Sequence, residues 1–217
     1  MKNFVLGPGS IAFEDDYLLI IDKPPGMLIH PTVNESGCTL YDYVAAYYKA
    51  RGIDAGIHPV SRLDRNTSGL VIFAKEPVIQ YWLSQREIAK EYLAIVTGKL
   101  PDDAGVIEAP IARKPGSIIE RCVDESGKYA KTAYKTLYTK NGKTLVQLRL
   151  YTGRTHQIRV HMAHIGCPLY NDNLYGTPGP QSRHALHAYK LSFIHPVSDL
   201  PLEITRELPE DLRKIIY

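Results

Sequence analysis

Hydrophobic and polar positions along the chain alternate mostly with the two-residue period of β-strands. Residues 10–30, SIAFEDDYLLIIDKPPGMLIH, place two apolar β-type runs on either side of the acidic turn Glu14-Asp15-Asp16. Lys23-Pro24-Pro25-Gly26 ends the second run, so the segment predicts a hairpin. Between Thr39 and Arg51 the period changes to that of a helix. Leu40, Tyr43, Val44 and Tyr47 share a face, Thr39 is a candidate N-cap and Gly52 is a stop. Residues 69–74 are short, apolar and β-rich, which predicts a strand. Pro77 then opens a predicted helix reaching about Lys90, and Tyr92–Thr97 reads as another strand. The clearest hairpin is 129–151, where Asn141-Gly142 joins two runs and Val146, Leu148 and Leu150 alternate with Gln147 and Arg149. Residues 155–165 predict a short helix stopped by Gly166 and Pro168, and Pro209 opens a terminal helix.

Many strands with few helices, and no regular strand–helix alternation, predict an α+β fold with a largely antiparallel central mixed sheet and flanking helices. The 217 residues suffice for one large domain or for two small lobes around a cleft, and the expectation is a single domain over 1–217. The sequence has no apolar stretch long enough to span a membrane and no signal-peptide pattern at its start, which predicts a cytoplasmic protein. Cys38, Cys122 and Cys167 are odd in number and far apart, so neither a disulfide framework nor a zinc ribbon is expected.

Net charge is only +3, but it is unevenly distributed. Residues 111–165 hold eleven Lys and Arg against three acids, whereas residues 1–50 hold three basic against six acidic groups. This predicts one basic face suited to a polyanion. Nucleotide, acyl-transfer and zinc-protease motifs are missing from the sequence, and the spacing of His156, His161 and His164 does not suit a metal site, so no metal is expected.

Three segments carry candidate chemistry. His58-Pro-Val-Ser-Arg62-Leu-Asp64-Arg65-Asn-Thr67-Ser68-Gly69 sets an acid between two arginines just before a buried-looking strand. Flanking cations favour an ionised carboxylate, which can act as a nucleophile, although a surface salt bridge has the same pattern. Tyr151-Thr-Gly-Arg154-Thr-His156-Gln-Ile-Arg159-Val-His161 puts Arg154 at a strand-to-helix corner, where a guanidinium reaches a carboxylate or phosphate. Lys90-Glu91-Tyr92 puts a tyrosine at a strand start, where it can stack on a base or simply pack.

Taken in order, six segments resemble the RluA-like family of pseudouridine synthases: EDDYLLIIDKPPGMLIHP, RLDRNTSGLVIFAK, KEYLAIV, GKYAKTAYKTLY, GRTHQIRVHMAHIGCPLYNDNLYG and ALHAYKLSFIHP. The resemblance covers most of the chain. It implies isomerisation of uridines to pseudouridine in structured RNA, ribosomal or transfer, by a monomer that uses no cofactor. It implies a pseudouridine synthase-like fold with a catalytic cleft, in which Asp64 is the catalytic aspartate, Arg154 pairs with it and Tyr92 stacks on the target ring. Arg62 takes the place of the flipped base, and Arg65, His156, Arg159 and His161 join it in contacting RNA. The small N-terminal RNA-binding domain of many relatives is not expected here. Ser61 stands where the family usually has His, Asn66 replaces a common Asp, and the stretch from Ala74 to Lys90 is short; these departures bear on substrate contacts. The alternatives are a non-catalytic RNA-binding protein or RNA chaperone on the same fold, and a metal-assisted nuclease.

Overall fold

The computed structural model describes residues 6–31, 39–179 and 183–217. Cys38 lies outside the described residues. The chain forms two compact units, Met1–Ile88 with Tyr189–Arg206, and Ala89–Ala188 with Glu207–Tyr217.

In the first unit, strands β1 (Ile11–Glu14) and β2 (Leu18–Lys23) form the expected antiparallel hairpin. Asp15 closes its turn by accepting the N–H groups of Tyr17 and Leu18 at 2.8 and 2.7 Å. Helix α1 (Leu40–Arg51) starts at Thr39 through a reciprocal capping box with Asp42 and stops at left-handed Gly52. Strand β3 (His58–Pro59) is a two-residue partner of β4 (Ser68–Ala74), which is buried throughout and also pairs with β2. Helix α2 (Pro77–Gln85) follows.

The two-residue period of β2 and β4 explains this unit's packing. Leu19, Ile21, Val71 and Phe73 face Leu40, Val44 and Tyr48 of α1. Their neighbours Leu18, Ile20, Leu70 and Ile72 face Ile79 and Leu83 of α2.

In the second unit, β5 (Ala89–Thr97), β6 (Ala104–Glu108), the small hairpin β7 (Ile111–Arg113) and β8 (Arg121–Val123), β9 (Lys131–Lys140) and β10 (Lys143–Leu150) precede helix α3 (Gln157–His164). The sheet order is β5-β10-β9-β6. Asn141 and Gly142 join β9 to β10 with φ of 49° and 70°, the doubly left-handed turn that matches strand twist. Strand β11 (Leu186–Ile194) begins in the second unit and ends in the first, where β12 (Pro201–Thr205) pairs with it. Helix α4 (Glu210–Ile216) packs Leu212 and Ile216 against Ile95 and Leu145.

Pairs β1–β2, β2–β4, β3–β4, β5–β10, β9–β10, β6–β9, β7–β8 and β11–β12 are antiparallel, in keeping with the α+β class. No helix of the described residues is long and apolar enough to cross a membrane. One boundary differs from expectation. The second helix ends at Gln85 rather than near Lys90, because residues from Lys90 onward pair in register with β10, starting at Leu150. A ladder of backbone bonds outweighs the good helical preference of Arg86, Glu87, Ala89 and Lys90.

Candidate active site

In the first unit the Asp64 segment is a loop braced by the end of β2. Lys23 is fully buried, and its ammonium donates to the carbonyls of Pro24 at 3.0 Å, Met27 at 3.0 Å and Arg65 at 3.1 Å. Gly26 adds an N–H bond to the same Arg65 carbonyl at 2.8 Å, and Arg65 Nε returns one to the Gly26 carbonyl at 3.3 Å. Gly26 has φ of 82°, which an L side chain rarely adopts, so glycine makes this close approach possible. Thr67 N–H bonds the Asp64 carbonyl at 3.1 Å. The backbone on the C-terminal side of Asp64 is thereby fixed. Asp64 is half-buried, while Arg62 and Arg65 are exposed. Ser61 is buried, and its hydroxyl has no hydrogen-bond partner among the described residues.

In the second unit Tyr92 lies on β5 opposite Leu148, which in turn faces Tyr134 of β9. One step along the same face are Lys90, Leu150 and Thr132. Thr132 accepts from Gln157 Nε2 at 3.0 Å, which carries the row onto α3. Gln157 is the hub of the Arg154 corner. Its Oε1 accepts from Arg154 N–H at 2.9 Å and from the Thr152 hydroxyl at 2.8 Å, and its Nε2 also donates to the Lys131 carbonyl at 3.0 Å. Arg154 is exposed, with Nε on the Tyr129 carbonyl at 2.9 Å.

His156 precedes α3 at φ 57°, an unusual conformation for a residue with a side chain. Its Nδ1 lies 2.7 Å from the Tyr175 hydroxyl, which accepts the Arg121 N–H at 2.8 Å.

Two residues expected to touch RNA lie inside the fold. Arg159 is 6% exposed and binds Asp172 in bidentate fashion at 2.7 and 2.8 Å, above the Tyr175 ring. Burial alone would push the Asp172 carboxyl up, but the Arg159 hydrogen bonds and charge outweigh it and hold it below the usual range. His161 is fully buried with Nδ1 near Thr132 Oγ1 at 2.9 Å and Nε2 near the Ala109 carbonyl at 3.0 Å. Burial lowers its pKa below the ordinary histidine value. Arg159 and His161 lie on nearly opposite sides of α3, and both are covered because the helix is buried all round from Gln157 to Met162. Their polar atoms are engaged by Asp172, Thr132 and the Ala109 carbonyl inside the fold.

The expected single basic face is likewise divided. Lys114 and Lys131 pair with Glu120 and Glu108. Lys135 and Arg149 alternate with Tyr134 and Leu148, so they project from the side of the sheet opposite Tyr92. Charge counting along the chain cannot see this, because neighbours in a strand point opposite ways. Sequence reasoning passed over Lys23, Gln157, Asp172 and Tyr175, whose partners lie on distant segments or on the backbone. Lys23 had one visible signal, a lysine closing an apolar run just before Pro-Pro-Gly.

The architecture defines the class first. It matches the structure of human RNA Pseudouridylate Synthase Domain Containing 4 with a TM-score of 0.77 at 22% identity, over 94% of this chain and 90% of that one. Human RNA Pseudouridylate Synthase Domain Containing 1 matches at 0.74 and 23%, over 94% and 85%. The fold is therefore that of the pseudouridylate synthases. Sequence goes further: the profile of the RNA pseudouridylate synthase family matches residues 17–164, and the chain belongs to that family, in its RluA-like branch. It is 38% identical to the uncharacterized RNA pseudouridine synthase YjbO of Bacillus subtilis, over 96% of this chain and 76% of the relative. It is 40% identical to ribosomal large subunit pseudouridine synthase D of Nitrosomonas europaea, over 96% and 64%. The protein is an RNA pseudouridine synthase, an isomerase that converts uridine in RNA to pseudouridine.

Proposed function

We propose that Asp64 is the catalytic carboxylate of this isomerisation, acting on structured ribosomal or transfer RNA. The observation that carries the assignment is the brace around its loop: Lys23 and Gly26 both bond the Arg65 carbonyl, next to Asp64. Loops gain catalytic precision when their backbone is fixed from a rigid element, and here that element is the end of β2.

The reaction exchanges the N1–C1′ bond of uridine for a C5–C1′ bond. Carbon 5 loses a proton and nitrogen 1 gains one, so atoms and electrons balance without an external reductant, oxidant or nucleotide. A carboxylate near C1′ supports the electron-poor ribosyl centre while the ring turns. Arg154 is assigned to hold and aim that carboxylate, and Tyr92 to stack on the ring and assist proton removal from carbon 5. Arg62 and Arg65, both exposed, and His156 are assigned to RNA, with Arg62 filling the vacancy left by the flipped base. The 40% identity to a ribosomal large subunit synthase favours ribosomal RNA. The working form is a cytoplasmic monomer that needs no cofactor.

The test is tritium release from RNA labelled at carbon 5 of uridine, taken from cells lacking this protein. Release by the wild type and none by Asp64→Asn supports the assignment. Equal release by both would overturn it, and an Asp64→Asn variant that keeps the full cellular effect would favour an RNA chaperone role.

A further inference from the structure

Lys90 is a half-buried cation on β5. Among the described residues its ammonium forms no hydrogen bond or ion pair. The adjacent acid, Glu91, points to the other face of β5 and accepts from Gln147 at 2.6 Å. The residue opposite Lys90 is Leu150, and the next in the row, Thr132, is engaged by Gln157 and His161. Burial pulls the Lys90 ammonium below the ordinary lysine range with no carboxylate to restore it. A leucine or methionine would suit this position better in the free protein, because a desolvated charge without a partner is unfavourable. A cation kept at such a cost is available to an anion that arrives from outside.

Its location identifies the anion. Lys90 and Tyr92 are two residues apart on one strand and on one face, about 7 Å from Cα to Cα. RNA brings one phosphodiester for every base, so a ring against Tyr92 brings a phosphate close by. We propose that Lys90 binds a backbone phosphate of the substrate RNA beside the target uridine and so sets the depth at which the nucleotide enters. The proposal rests on Tyr92 facing the target ring.

The experiment compares wild type, Lys90→Met, Lys90→Arg and Tyr92→Phe on a ribosomal RNA transcript tritiated at carbon 5 of uridine. It reads KM, kcat, their salt dependence and thermal stability. Lys90→Met is expected to raise KM about tenfold with little change in kcat, because one charge-assisted contact to the substrate is lost. The slope of log kcat/KM against log salt should become shallower by about 0.7–0.9, the signature of one lost phosphate contact. Its melting temperature should stay level or rise, since a desolvated charge has been replaced by an apolar chain. Lys90→Arg should restore KM and slope. A lower melting temperature with an unchanged salt slope would make Lys90 a structural residue and overturn the proposal. Wild-type KM and slope in Lys90→Met, with Tyr92→Phe impaired, would refute the phosphate contact and leave Tyr92 in place. If neither variant is impaired, both assignments fall.

Discussion

Lys23 holds Arg65 by its backbone: the buried ammonium lies 3.1 Å from the Arg65 carbonyl, across 42 residues of chain. Through this bond Lys23 fixes the Arg65–Asn66 peptide just beyond Asp64. Lys23→Met should therefore leave three carbonyls short of a donor. We expect a loss of about 2–4 kcal/mol in stability, read by urea denaturation. Turnover of tritiated RNA should fall even at a temperature where the variant stays folded. Normal turnover in folded Lys23→Met would separate the brace from catalysis.

Gln157 should matter as much as the arginine it supports. Gln157→Leu removes the acceptor for Arg154 N–H and Thr152, and the donor to Lys131 and Thr132. A shift of the corner by about 1 Å is enough to cost kcat about a hundredfold. RNA affinity measured by filter binding should change little. Arg154→Ala should show the same split between turnover and binding; equal losses in both would assign Arg154 to the phosphate backbone.

Asp172→Asn replaces the carboxylate half of a buried bidentate pair and leaves the Arg159 guanidinium with a neutral partner. The expected loss is about 3–5 kcal/mol, visible as a lower denaturation midpoint. Because the Asp172 carboxyl sits below its ordinary range in the folded state, its contribution is present above the unfolded carboxyl pKa. It is lost as pH falls through the folded value. Asp172→Asn should therefore narrow its gap to wild type at acid pH.

His187 makes a second acid-sensitive contribution. Its side chain is 1% exposed on β11, and burial together with Arg183 holds the imidazole down to about 4 from 6.5. The unfolded chain takes up that proton first, so stability falls as pH drops through the window from 6.5 to about 4. The slope for this one group is about 1.4 kcal/mol per pH unit. His187→Leu should flatten the stability profile across that window by this amount, measured by urea titrations at a series of pH values. An unchanged slope would mean that the site admits the charged ring.

Much of the fold was legible because local signals and tertiary packing agree. Thr39 and Gly52 bracket α1 as their cap chemistry predicts, Asn141-Gly142 makes the β9–β10 turn, and Leu148 and Leu150 point away from Arg149 as alternation requires. The family resemblance and its reaction were legible from ordered motifs. The end of α2 was not, since the partner strand that draws Lys90 into a ladder lies about 60 residues later in the chain. The fates of Arg159 and His161 were hidden for a related reason. Whether an arginine faces solvent depends on Asp172, whose position relative to α3 no spacing rule supplies. Lys23 was overlooked because its partners are backbone carbonyls, which every residue has, and Gln157 because half of its partners are backbone groups and the others come from β9 and the β10 end.

The first unit is discontinuous in the chain, and this orders events at the ribosome. Leu191 and Phe193 belong to the same packed cluster as Leu18, Ile20, Leu70 and Ile72. The N-terminal half of that cluster emerges from the exit tunnel long before its last members are synthesised. Meanwhile Ala89–Ala188 supplies a continuous stretch with its own short-range hairpins. Closing contacts across so long a stretch is slow compared with closing hairpins. The apolar strands β2 and β4 must thus wait, partly uncovered, while the middle of the protein is made. A chain stalled or truncated before Arg206 would leave that surface open, and it is there that chaperone capture and aggregation of this synthase would begin.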